Sequence, residues 1–198
     1  MEIYKLMNEN IEKNFELLAQ MTELGLSMLN KGPEFQIMAF KDDYNSKGTM
    51  NYSEDSDKKA LINGIKKAAT ELKLDAVGGA FTIQSYERQG VGDMESAKEE
   101  LVTRIKELAE KGELNREALE SLGVEDITIV FLWDKSGEIK STCLKLVAQV
   151  DEDGDLLKIP QRCHLNDSEE NTIKALKAMF GELFDGNYDA NSAIVFEK

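Results

Sequence analysis

The stretch from Ile127 to Leu165 constrains the fold of this chain more than any other. It reads ITIVFLW, a short polar turn, KSTCLKLVAQV, the acidic run DEDGD, and LLKIPQRCHL. Ile127, Ile129, Phe131 and Trp133 alternate with Thr128, Val130 and Leu132, so both faces of the first run are largely apolar. A strand of that kind belongs in the middle of a covered sheet. In the next run Leu144, Leu146, Ala148 and Val150 share one face, and Cys143, Lys145, Val147 and Gln149 share the other. Asp153-Gly154 is a strong signal for a two-residue hairpin turn. A turn there sets Val150 against Leu157, Ala148 against Ile159, Leu144 against Cys163 and Cys143 against His164. In that register the two cysteines point to opposite faces and cannot bond to each other.

The rest of the chain supplies cover for this meander. Residues 2–31 carry a helical stripe of Tyr4, Met7, Ile11, Leu18, Met21 and Met28, broadened by Leu6, Phe15, Leu24 and Leu29. Asn14 and Gly25 interrupt a strict heptad, and Gly32-Pro33 stops the helix. This N-terminal helix, 1–32, is expected either to pack on the sheet or to pair with a second copy in a homodimer. Phe35 to Lys41 reads as a strand, with Thr49 to Tyr52 pairing back on it. A middle helix follows to about Lys73, with Leu61, Ile65, Ala68 and Leu72 inward. Ala76 to Glu87 is the next strand, where Gly78-Gly79 signals a bulge or a close approach. Residues 93–122 read as a helical insertion of two helices, the second capped by Asn115. Asp167 and Glu170 suit the start of a C-terminal helix that Gly186 would end, and Ala193 to Phe196 reads as a last strand. The expected fold is a single α+β domain over 1–198, with a mostly antiparallel sheet of about five or six strands.

Composition narrows the function classes. The net charge of −14 disfavours nucleic-acid phosphates and anionic membranes. Residues 151–198 hold eleven acidic against five basic side chains, which concentrates that charge toward one end. No run is long and apolar enough to span a membrane. Two cysteines without an export signal point to reduced thiols and a cytoplasmic protein.

No motif carries an assignable reaction. Asp151, Asp153 and Asp155 begin like a calcium loop, but Leu156 stands in place of the turn glycine and Arg162 in place of the bidentate glutamate. Gly90-Val91-Gly92 lacks the third glycine of a dinucleotide fingerprint. Cys143, Cys163 and the single histidine, His164, fall close together in the expected register, and a Cys–His pair can act as a nucleophile, but Cys143 lies mid-strand, where nothing obvious lowers a thiol pKa. No catalytic residue, metal site or cofactor is therefore assigned. The best binding candidates are Ser85, Tyr86, Glu87 and Arg88, polar residues where a strand runs into a loop.

The order MAFKDD, KKALINGIKKAATEL, QSYE and FLWDKSGEI resembles small uncharacterised α/β proteins encoded in bacterial and phage genomes. In those an SEAW-like end to the second strand is expected, where this chain has Gln84-Ser85-Tyr86-Glu87. The likeness covers about half the chain, breaks at the helical insertion, and implies no activity. The expected function is a non-enzymatic, acidic, cytoplasmic protein that binds a protein partner, of a kind carried by phages or mobile elements. The alternative is an enzyme or small-molecule binder with a pocket near residues 85–93, its carboxylates holding Mg²⁺.

Overall fold

The structure is a computed structural model that describes residues 2–29, 32–33, 35–41, 45–51, 58–86, 94–150, 156–165 and 168–192. Among them the elements run α1 (Glu2–Leu29), β1 (Phe35–Lys41), β2 (Asn45–Asn51), α2 (Lys58–Glu71), β3 (Ala76–Tyr86), α3 (Met94–Lys111), α4 (Arg116–Ser121), β4 (Val124–Asp134), β5 (Ile139–Val150), β6 (Leu156–Cys163) and α5 (Glu169–Phe180). The six strands form one sheet in the order β2-β1-β3-β4-β5-β6. This is the α+β class expected from the sequence. The chain divides into two compact units, one of residues 1–82 with 128–198 and the other of Ile83–Ile127.

In the first unit β1 runs antiparallel to both β2 and β3. Lys135 N–H donates to Asp75 O at one end of the β3–β4 pair, and the hydroxyls of Thr82 and Thr128 meet at 3.0 Å further along it. These two strands are therefore antiparallel as well. The β4–β5 turn is held by a buried carboxylate. Asp134 Oδ1 accepts from the backbone N–H groups of Ser136 and Glu138 and from Ser136 Oγ, and these three bonds offset the burial of the group. Residues 128–134 of β4 are buried without a break, as a strand that is apolar on both faces requires.

Each face of this sheet has its own cover. On one, Ile11, Phe15, Leu18, Ala19 and Leu26 of α1 pack on Met38, Phe40, Ala80, Val130, Leu132 and Leu144. On the other, Phe180 of α5 lies 5.3 Å from Phe131, 6.0 Å from Phe35 and 6.2 Å from Phe81, ring centre to ring centre. Leu61, Ile65 and Ala68 of α2 are buried as their spacing predicts. Lys66 of α2 reaches Asp185, and Lys67 Nζ donates to Ala190 O and Ser192 O, which ties α2 to the segment after α5.

Gly78 and Gly79 mark a close approach. The β1–β3 register passes through both without a shift, so they make no bulge in that pair. A Cβ on Gly79 would sit 2.5 Å from the Gln36 carbonyl oxygen, which belongs to the neighbouring strand's backbone and cannot move aside. Gly79→Ala is expected to cost about 1–3 kcal/mol through overpacking. Gly25→Ala, where a Cβ meets nothing within 4 Å, should instead stabilise α1 by up to about 1 kcal/mol. Urea midpoints for the two variants should move in opposite directions.

Four expectations need correction. First, β5 and β6 pair one residue away from the predicted register: Val150 faces Leu156, Ala148 faces Lys158, Leu144 faces Arg162 and Cys143 faces Cys163. The reason lies in Arg162, which this register turns toward α1, where it donates to both Glu16 and Glu23. Second, α5 ends at Gly181, not Gly186, because Gly181 adopts φ +66° and its N–H closes on Lys177 O. Third, β2 begins at Asn45, earlier than expected. Fourth, the N-cap position of α5 is Ser168 and not Asp167, with no side-chain cap hydrogen bond, so Glu170 does not stand where a capping box needs it. The Asp153-Gly154 turn and the strand at 193–196 lie outside the described residues.

The second unit contains α3, α4 and the adjoining ends of β3 and β4. Leu101, Ile105 and Leu108 are half-buried on α3. Asn115 caps α4 as predicted, with its Oδ1 accepting from Ala118 N–H at 2.9 Å.

Candidate functional site

The sequence presents α1 as one broad apolar stripe, and the structure splits it in two. Ile11, Leu18 and Leu26 are buried against the sheet, whereas Leu17, Met21, Leu24 and Met28 are 55%, 54%, 62% and 75% exposed. The exposed four follow a 4-3-4 spacing, so they line one outward face. From Leu17 to Met28 the row covers about 16 Å, three turns of helix.

Between Leu17 and Met28 the borders of this row are uncharged, and the exposed Lys13 stands one turn before Leu17. Gln20 and Ser27 flank it on one side, their side chains bonded to Glu16 Oε1 and Glu23 O within α1. Gly25 flanks it on the other side and opens the helix surface. The nearby carboxylates Glu16 and Glu23 are engaged by Arg162. That guanidinium holds the Glu16 carboxyl below its ordinary range, and the two carboxylates raise the pKa of Arg162 in turn.

The four strand-end candidates are only partly placed. Ser85 is half-buried near the end of β3, Tyr86 closes that strand, and Glu87 and Arg88 lie outside the described residues. Beside them, within the second unit, is a cavity of about 280 Å³ lined by Gln84, Leu114, Arg116, Leu119, Glu120 and Asp126 among others. Arg116 pairs with Glu120 at 3.0 Å and with Asp126 at 3.6 Å, so its charge is already answered by the cavity's own walls. The Asp151 and Gly90 motifs lie outside the described residues. Among the described residues no group of three or more His, Cys, Asp or Glu side chains is placed to hold a metal.

The corrected register has a chemical consequence that the sequence reading missed. Cys143 and Cys163 are directly opposed across β5 and β6, on the same face, with no disulfide between them. Cys143 is fully buried and its sulfur lies 3.6 Å from Thr172 Oγ1 of α5. Thr172 Oγ1 in turn accepts from Leu165 N–H at 3.3 Å, which leaves the threonine proton free to point at sulfur. A hydrogen bond from the Cys163 thiol, helped by Thr172 and Leu165 and opposed by burial, lowers the Cys143 pKa to about 7. His164 follows directly, with its Nδ1 buried and without a hydrogen-bond partner among the described residues.

Comparison with known protein families, with curated proteins and with solved structures finds no match to this chain.

Proposed function

We propose that this protein is a non-enzymatic binding protein that docks a basic, amphipathic helix of a partner protein on the outward face of α1. The row of Leu17, Met21, Leu24 and Met28 carries this reading. Its spacing matches the seam that one helix offers another, and two of its four members are methionines, which adapt to varied partners. Along the row itself the neutral Gln20, Gly25 and Ser27 present no repelling charge to an incoming helix. The net charge of −14 draws a cationic partner and opposes the approach of a second copy. No helix among the described residues is long and apolar enough to cross a membrane.

The test uses a synthetic helix of leucines and lysines at heptad spacing, titrated into the full chain by calorimetry. Met21→Gln combined with Leu24→Gln leaves the charge unchanged and removes the centre of the row. This double variant should melt close to wild type, since exposed positions move stability by only about 0.5 kcal/mol each. Its binding should weaken at least tenfold, about 1.4 kcal/mol. Equal binding by both proteins would reduce the interaction to bulk charge and remove α1 from it. A wild-type dimer that persists in high salt would assign the face to a second copy.

A second reading, a small-molecule site in the cavity beside Gln84, rests on that cavity's polar walls. It is the weaker one, because Arg116 is already paired and the volume falls just below the usual range for ligand pockets.

A further inference from the structure

We infer that Cys143 and Cys163 form a reversible oxidation site: a peroxide enters at Cys163, and Cys143 resolves the product into a cross-strand disulfide. Directly opposed residues in an antiparallel ladder have Cα atoms about 4.5–5.5 Å apart, within the range that a disulfide spans. The bond can therefore close without moving either strand out of register. Both thiols lie on one face, and the sulfurs are already close enough to share a hydrogen bond.

The two cysteines differ in a way that assigns their roles. Cys163 is half-buried near the end of β6, an edge strand, so a small oxidant reaches it first. Cys143 is fully buried on β5, where it meets no bulky reagent and contacts Cys163 and Thr172. The surroundings of Cys143 favour the thiolate near neutral pH, and the thiolate is the attacking form in disulfide chemistry.

The steps balance with hydrogen peroxide as the oxidant. The Cys163 thiol passes its proton to the Cys143 thiolate across their shared hydrogen bond, and the Cys163 thiolate so formed attacks one peroxide oxygen and breaks the O–O bond. One oxygen stays on sulfur as the sulfenic acid, and the other leaves as hydroxide, which takes a proton from solvent to become water. The Cys143 sulfur then attacks the Cys163 sulfur and forms the S–S bond. The hydroxyl leaves as a second water with the proton that came from Cys143. Two thiols are oxidised by two electrons, and one peroxide is reduced to two waters. A thiol reductant reverses the change by two exchanges, and its own two sulfurs become a disulfide.

The experiment oxidises the full chain with one equivalent of hydrogen peroxide and reads the linkage on proteolytic peptides. Peptide mapping is needed because the eight methionines also take up oxygen and obscure the intact mass. The expected product is one cross-linked pair joining the peptides of Cys143 and Cys163, with both thiols lost together and both restored by dithiothreitol. In Cys143→Ser the resolving thiol is gone, so Cys163 should accumulate as sulfenic acid and be captured by dimedone. In Cys163→Ser, Cys143 should react at least tenfold more slowly than Cys163 does in wild type. If either variant fails to fold, the wild-type map still decides the matter. Two thiols that resist excess peroxide, oxygen added to Cys163 without a cross-link, or a Cys163 disulfide between two chains would each overturn the inference.

Discussion

Leu144→Asp is expected to unfold the first unit at room temperature, with loss of its near-ultraviolet circular dichroism and an enlarged hydrodynamic radius. Leu144 is 1% exposed and belongs to the cluster in which Leu18 and Leu26 of α1 meet Val130 and Leu132 of β4. An aspartate there loses the leucine contacts and places a carboxylate in apolar surroundings. The combined cost is about 5 kcal/mol or more, comparable with the total stability of a typical domain. The sequence pattern alone picks out Leu146, two residues along on the same face, as the core position whose aspartate would unfold the domain. Leu146 is only partly buried at the rim of the cluster, so its aspartate can reach water and the variant should remain folded. A folded Leu144→Asp protein would mean that α1 does not close this face of the sheet.

Phe180→Ala should be the second most damaging substitution and should leave the protein folded but weakened. The ring is 2% exposed and lies within 6.2 Å of three others, those of Phe35, Phe81 and Phe131. Removing a buried phenylalanine costs about 3–5 kcal/mol, which for a unit of this size lowers the melting temperature by about 10 °C. Calorimetry would show the fall directly. Phe184→Ala provides the comparison, because Phe184 follows the end of α5 and is only half-buried. Equal losses at the two positions would place the helix end where the sequence pattern suggests, beyond Gly181.

The contrast between these pairs shows how far the residues alone could lead. β4 was legible because a run that is apolar on both faces has few places to go except the middle of a sheet. The α4 cap was legible because Asn115 acts locally, through one bond to the backbone three residues on. The β5–β6 register was not, because its turn signal was balanced against a long-range interaction. Arg162 reaches two carboxylates on α1, more than a hundred residues away in sequence, and no local pattern announces that. The end of α5 was hidden for a related reason. Leu183 and Phe184 continue the helical spacing beyond Gly181, although Leu183 is buried from an irregular segment.

The candidate sites follow the same rule. Composition gave the acidity, and hydrophobic spacing gave α1, but spacing alone could not divide a broad stripe into the face that packs and the face left open. Met21 and Leu18 look alike in the sequence, yet one is 54% exposed and the other 2%. The thiol pair was missed through a single step in register, since one residue of slip moves a side chain to the opposite face. Ser85 and its neighbours are legible as polar residues at a strand end, and the cavity lined by Gln84 lies beside Ser85 in the same unit.

The proposal for α1 is tested most directly by the methyl spectrum of methionine-labelled protein during titration with the cationic helical peptide. Met21 and Met28 lie on the outward face, whereas Met38 is 8% exposed beneath α1. The resonances of Met21 and Met28 should shift together and saturate at one peptide per chain, with Met38 unmoved. Saturable binding that leaves Met21 and Met28 in place would contradict the account and send the search for the docking surface elsewhere on the molecule.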